Sequence, residues 1–307
     1  MFRGKHGAQP GRHRSRQRNT LPVLVAVLLI TLGAALAIRH LAPKEQVTVA
    51  AAKRSAPAAG ATAMRVGEVT APGEGFRSWA LLDRTTGTIT GSPNMAAPSD
   101  TMSMVKAWLA ADYLRTSAEK DEEPSDFHLG QLRIMIRDSD NASAVAVYNL
   151  NGGRDSILRM IKICGLTDSA PHADNWSNTT ISARDTVRLG TCLADGRAAG
   201  ATWTPWLLSE MRAVRGVGDF GVRRALPAPA AAEVAIKNGW LLRDEDGQWH
   251  IACLAVTDRW AIGVLLRYSG SLGFAYGAAQ CTAVGAELLA PTTRLATPTM
   301  AAAASPG

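Results

Sequence analysis

Three short segments of this 307-residue chain hold side chains that could do chemistry together. In Ser103-Met-Val-Lys106 the i, i+3 spacing puts a hydroxyl and an amine on one helical face. A neutral amine there can take the hydroxyl's proton, and a helix N-terminus favours the negative charge that develops. Ser139-Asp140-Asn141 follows an apolar-patterned stretch and offers a second hydroxyl and an amide. These could relay a proton and hold the amine, or simply cap a helix. Lys237-Asn238-Gly239 lies inside the apolar run Val234 to Trp240. A charged lysine in such a run needs a partner or an anion, because an isolated buried charge is costly. The glycine leaves room for another backbone to approach. Each segment alone also has a structural explanation: a solvated pair, a cap, an edge-strand lysine.

The elements that must position these groups are legible from patterning. Ser78 to Asp83 and Thr88 to Thr90, joined by a Thr86-Gly87 turn, predict a β-hairpin. Pro98-Ser-Asp100 predicts the cap of a helix over 101–117, and helical periodicity fills most of 127–215. Three strands are expected at Glu233–Leu242, Trp249–Thr257 and Trp260–Tyr268, with a closing helix from Phe274 to Leu289. Two strands, a block of helices, three strands and a helix make an α+β arrangement in which the terminal strands form one antiparallel sheet.

Taken together, on a helix, a loop and a strand in that order, the three segments resemble the S-x-x-K, S-D-N and K-T-G motifs of class A β-lactamases and penicillin-binding proteins. The resemblance covers about 66–290. It implies a five-stranded antiparallel sheet flanked by helices with an inserted all-helical subdomain. It also implies Ser103 as an acylated nucleophile, Lys106 as its base and Ser139 as proton donor to the leaving nitrogen. Asn141 would contact the acyl side chain, and Lys237 and Asn238 would bind a substrate carboxylate. The backbone N–H groups of Ser103 and Trp240, the latter just after Gly239, would form an oxyanion hole. The implied ligand is a β-lactam or a D-Ala-D-Ala-like wall peptide, with no cofactor. The pattern departs in three places. Asn238 stands where Thr or Ser is usual, and Trp240 where a small residue is usual. No glutamate occurs between Glu123 and Glu210, where the family places the base that activates the deacylating water. The acids of the matching stretch are Asp168 and Asp174. The resemblance therefore implies a serine hydrolase with impaired or non-standard deacylation, and a DD-peptidase or penicillin-binding protein as the competing activity. A non-catalytic wall-peptide-binding domain is the reading from another class.

The rest of the chain bounds location. Residues 1–20 carry six basic residues and no acid out of a net +7. The basic balance thus describes a stub rather than a nucleic-acid-binding face. Leu21 to Ile38 is uncharged and as a helix spans about 27 Å, near the thickness of a hydrocarbon core. The charges before it put the stub in the cytoplasm and the remainder outside. A cleaved signal peptide ending at Ala35-Leu36-Ala37 is the alternative, and it also exports the domain. Residues 39–65 predict a linker, 66–290 the folded domain and 291–307 a loose tail. Cys164, Cys192, Cys253 and Cys281 all follow the apolar run. They allow three pairings, of which nearest-neighbour is preferred, or four buried thiols. His128, His172 and His250 lack metal-ligand spacing. Gly216 to Gly221 matches GxGxxG without the strand before it or the helix after it that nucleotide binding requires, and predicts a turn.

Overall fold

The computed structural model describes residues 66–172 and 175–290. The basic stub, the apolar run 21–38, the linker, Asp174 and the 291–307 tail lie outside the described residues. Five strands form one antiparallel sheet in the order β2-β1-β7-β6-β5: β1 Phe76–Asp83, β2 Ile89–Gly91, β5 Ala235–Leu242, β6 Gln248–Val256 and β7 Trp260–Ser269. The first hairpin and the three late strands thus fall within a residue or two of their sequence-based positions. β3 Pro98–Asp100 and β4 Thr180–Ser182 pair separately.

β6 and β7 are buried along almost their whole length because helices cover both faces of the sheet, so their sequences run apolar without alternation. Strand parity assigns the faces. A Cβ on Gly190 of α5 (Ala183–Ala194) would touch Leu254 and Val256, and one on Gly277 of α8 (Gly273–Leu289) would touch Ile251 and Tyr268. Even positions of β6 therefore face α5 and odd ones face α8. Gly263 admits α5 closely, since a side chain there would come within 2.7 Å of Thr186.

The helical block begins with α1 (Lys106–Ala118), whose Ala107, Trp108, Leu109, Ala110, Ala111 and Leu114 are all buried. A helix apolar on every side belongs at the centre of a core. Around it lie α2 (Asp126–Arg137), α3 (Asn141–Leu150), α4 (Arg154–Cys164) and α6 (Gly200–Arg212), with α7 (Ala228–Ala232) leading into β5. The one acid buried within α1, Asp112, is compensated by Arg115, Arg159 and the Ser156 hydroxyl.

One expectation fails. Pro98-Ser-Asp100 does not cap the helix; it is strand β3. A 3₁₀ turn over Met102–Val105 follows, with no side-chain cap, and the α-helix proper starts at Lys106. The Asp100 carboxylate instead accepts from Arg243 Nε at 3.0 Å and lies 2.9 Å from His250 Nδ1. Charged partners on the sheet outcompete a local cap.

Two disulfides form in the nearest-neighbour pairing. Cys164–Cys192 ties α4 to α5, and Cys253–Cys281 ties β6 to α8. Each closes a loop with a sequence separation of 28, worth about 3–4 kcal/mol in chain-entropy terms. Replacing Cys253 and Cys281 together by alanine is expected to lower Tm by about 10 °C. Calorimetry on the variant and on reduced wild type checks this; an unchanged Tm would show that the bridge contributes nothing.

Candidate active site

The site begins at a strained turn. Ser139, between α2 and α3, has φ 61°, and Met102, immediately before Ser103, has φ 48°. Non-glycine residues in this left-handed region cost about 1–3 kcal/mol each. Asp140 caps α3 by accepting from Ser143 N–H at 2.6 Å. That cap fixes where the helix starts and turns the Ser139 carbonyl and hydroxyl toward Lys106.

Lys106 is buried and donates to Ser139 O at 2.5 Å and to Asn141 Oδ1 at 2.7 Å; Ser139 Oγ lies 3.3 Å away. From the opposite side, Lys237 of β5, also buried, donates to Ser139 Oγ at 3.0 Å and to Asn238 O at 3.3 Å. One hydroxyl therefore stands between two lysine amines. Burial pulls the Lys106 amine down to about 8, partly opposed by the Asp140 carboxylate. Lys237 is pushed well below the ordinary lysine value by burial, and further by the nearby Lys106 charge. A second helix-side group completes the shell: the Trp176 ring centroid lies 5.1 Å from Lys106 Nζ.

Ser103 sits half-buried on the 3₁₀ turn and lines a cleft of about 500 Å³. The acceptors of the Lys106 amine are Ser139 and Asn141, and no hydrogen bond joins it to Ser103, its neighbour at i−3. The amine is drawn to a backbone carbonyl and an amide oxygen that a strained turn presents to it. Gly239 meets the requirement expected of it. A Cβ there would lie 2.6 Å from Ser103 N, Thr101 O and Met102 Cβ, so the β5 backbone runs directly against the turn that carries Ser103. The backbone N–H groups assigned to the oxyanion hole, those of Ser103 and Trp240, thus belong to segments in contact.

Asn238 corrects the sequence reading. It is buried, and its amide donates to Gly218 O at 3.1 Å and Phe220 O at 2.8 Å, away from the cleft. Period-two geometry explains this: Lys237 and Gly239 share the cleft face, and Asn238 takes the other. The turn over Gly216–Gly221 gives its Gly218 and Phe220 carbonyls to that amide. Trp240 shares Asn238's side of β5: its ring packs edge-on against Phe220, with centroids 5.7 Å apart, and the residue borders the cleft where the strand backbone passes it.

Sequence reasoning missed the opposite wall. Asn175, Trp176 and Ser177 line the cleft on a 3₁₀ turn that Asn175 caps by accepting from Ser177 N–H at 2.9 Å. An Asn two residues before a serine, flanking a tryptophan, was the available signal. Tyr148 and Asn149 of α3 complete that side. Asp168 is engaged elsewhere, bonded to Arg184 at 2.8 and 3.0 Å and to Ser182 at 2.9 Å, and Arg184 holds it below the ordinary carboxylate range. Among the described residues lining the cleft none is a carboxylate.

No family model matches the chain. It is 30% identical over 171 residues to proteins named "Putative lipoprotein LppW" from Mycobacterium tuberculosis and Mycobacterium bovis, covering 53% of this chain and 54% of each relative. The chain thus spans about half the length of the curated relatives it matches. Among solved structures it is similar to a β-lactamase from Chitinophaga pinensis, with a TM-score of 0.55, 16% identity, and 69% of this chain and 92% of the other covered. It is likewise similar to a class A β-lactamase representative from Bacteroides cellulosilyticus, with a TM-score of 0.54, 16% identity, and 68% and 88% covered. The chain has the class A β-lactamase fold.

Two outcomes are expected from this geometry. Gly239→Ala should lose about 1–3 kcal/mol of stability through overpacking against backbone; a wild-type urea midpoint would contradict the contact. Asp140→Asn, which keeps a capping side chain, should lower the Lys106 pKa below about 8 by removing the carboxylate that raises it. NMR titration of the lysine side chain reads this directly.

Proposed function

We propose that the chain is an extracytoplasmic, membrane-anchored serine acyl-transfer protein of the penicillin-recognising kind, acylated at Ser103 and slow to release the acyl group. The observation that carries the reading is the hydroxyl of Ser139 held between Lys106 at 3.3 Å and Lys237 at 3.0 Å beside a cleft lined by Ser103. A lysine with a pKa of about 8 is neutral often enough near neutral pH to act as a base. Ser103 Oγ attacks the carbonyl carbon of the acyl donor, and its proton passes to the Lys106 amine. Ser139 returns a proton to the leaving nitrogen as the carbonyl–nitrogen bond breaks. The Ser103 and Trp240 N–H groups receive the developing oxyanion, a contribution of about 2.7–4 kcal/mol for one such donor.

Slow release is supported by the missing glutamate and by the acids that are described: Asp168 is tied to Arg184 and Asp140 caps α3, so neither is placed to activate water against the ester. The exported location is supported by the apolar run 21–38 behind a basic stub, by two disulfides, and by similarity to proteins named as lipoproteins. A second reading, a non-catalytic wall-peptide-binding domain, is favoured by two observations: Lys106 does not reach Ser103 in the resting state, and Asn238 is turned from the cleft.

Intact-mass spectrometry after incubation with benzylpenicillin separates the readings. A one-to-one adduct that persists after the drug is removed, and is lost in Ser103→Ala, is expected. Rapid turnover of the drug would make the protein a β-lactamase, and no adduct at any time would leave the binding domain. Lys106→Ala should slow adduct formation by about 10²–10⁴-fold. In wild type the acylation rate constant should rise about tenfold per pH unit up to about 8 and level off above it, because only the neutral amine accepts a proton. A flat profile across that range would remove Lys106 from the base's role.

A further inference from the structure

Release of an acyl group from a serine needs water placed beside both the ester carbonyl and a base. The base in the proposed reading is the Lys106 amine, so the groups packed around that amine decide whether water reaches it. Ser139 O, Asn141 Oδ1 and Ser139 Oγ lie 2.5, 2.7 and 3.3 Å from Nζ and take its hydrogen bonds. The Trp176 ring, centred 5.1 Å from Nζ, sets an apolar face against it. Lys106 is fully buried, although the cleft beside it holds about 500 Å³. Trp176 is one of the residues lining that cleft, with Ser103 and Asn141. The turn that carries the ring is held firmly. Asn175 Oδ1 accepts from the N–H and the hydroxyl of Ser177 at 2.9 and 2.8 Å, and Trp176 O accepts from Thr179 N–H at 3.2 Å. Thr179 O in turn accepts from Thr101 N–H at 2.8 Å, two residues before Ser103, and Asn178 Oδ1 accepts from Arg243 at 2.8 Å. The Trp176 turn is thus fastened to the turn that bears the nucleophile and to the end of β5.

An ordered water needs two to four polar partners, and an indole face offers none as strong as a carbonyl. The same face accepts a charged amine well, so it suits the lysine once it has taken the Ser103 proton. We infer that Trp176 keeps water from the Lys106 amine and is thereby the residue that holds the acyl group on Ser103. The inference rests on acylation at Ser103. In the step that the ring holds back, the water oxygen bonds to the ester carbonyl carbon and the bond from that carbon to Ser103 Oγ breaks. One water proton passes through the Lys106 amine to Ser103 Oγ. The other stays with the released carboxylic acid, which ionises in solvent. Trp176 touches no reacting atom in this account; it is a positioning residue that acts through Lys106.

The test forms the benzylpenicillin adduct on the full chain, removes free drug and follows loss of the adduct by intact mass. Wild type, Trp176→Phe and Trp176→Ala are compared, each shown to be folded by its melting curve. Release is read on adduct already formed, so a change in the rate of formation does not enter. Trp176→Ala is expected to lose the adduct about tenfold faster or more, a modest share of the 10²–10⁴-fold that a well-placed base contributes. Trp176→Phe keeps an aromatic face and should fall between the two. The faster release should climb with pH and level off once the Lys106 amine is neutral. A site merely loosened would admit hydroxide and show no plateau. Should Trp176→Ala fail to fold, Trp176→Leu decides by the same measurements. An adduct as long-lived in the variant as in wild type, or release without the plateau, would overturn the inference and leave acylation at Ser103 standing. A folded variant that no longer acylates would overturn it too, since the ring would then serve the forward step. Absence of any adduct on wild type, or its rapid turnover there, would overturn the slow-release reading and this inference with it.

Discussion

The sharing of one serine hydroxyl by two buried lysines is the constraint on which the rest of the site depends. Burial strips hydration from both amines and displaces both lysines downward, and the Lys106 charge pushes Lys237 down further. The Ser139 backbone is held in a conformation costing about 1–3 kcal/mol. Against that stand the Lys106 contacts to Ser139 O and Asn141 Oδ1, each worth about 1.5–3 kcal/mol for a hydrogen bond to a charged partner. Two such bonds outweigh the strain. The turn and the lysine therefore hold each other in place: the lysine stays buried because the turn offers acceptors, and the turn keeps its φ because the lysine binds it.

The fold serves this arrangement by bringing three distant segments to one line. Ser103 comes from the turn after β3, Ser139 from the entrance to α3 and Lys237 from the free edge of the five-stranded sheet. Gly239 lets the sheet edge approach the Ser103 turn to backbone contact. Asp100 pins the base of that turn to Arg243 and His250 on the sheet. The same edge strand thus supplies the amine, the close approach and the ionic anchor. Its cleft face is defined by the odd positions 237 and 239, and its even position 238 is spent on securing the neighbouring turn.

Much of this was legible before coordinates. The strands declared themselves through apolar runs bounded by Thr-Gly, Asp-Gly and Asp-Arg turns, and the helix expected over 101–117 is found, starting later, at Lys106–Ala118. The preferred nearest-neighbour cysteine pairing is the one that forms. What failed was non-local. Pro98-Ser-Asp100 carries every local mark of a helix cap, and only residues more than 140 positions away, Arg243 and His250, turn Asp100 to another task. The misplacement of Asn238 was avoidable, because parity along a strand sets it opposite to Lys237. Motif matching assigned it by position and ignored the face. The Trp176 wall was invisible because its position over Lys106 depends on how a loop folds back, which no periodicity encodes.

The departures from the resembled pattern are coherent when read through charge. The resembled motifs imply a cleft that manages anions twice, with a cation and hydroxyl for the ligand's carboxylate and with a glutamate for deacylation. Here the position after the lysine is turned inward, the lysine is buried, and the acids of the loop stretch that are described are occupied by Arg184 and by Ser182. Among the described residues lining the cleft none is a carboxylate, and the cationic groups at its Ser139 wall are the amines of the two buried lysines. On the proposed reading, the proton acceptor that serves Ser103 among the described residues is the Lys106 amine, paired with the Ser139 hydroxyl. Acylation and release would then both run through that pair. On that reading an acyl ester at Ser103 would be released only as fast as an amine already bonded to a carbonyl and an amide is freed to activate water.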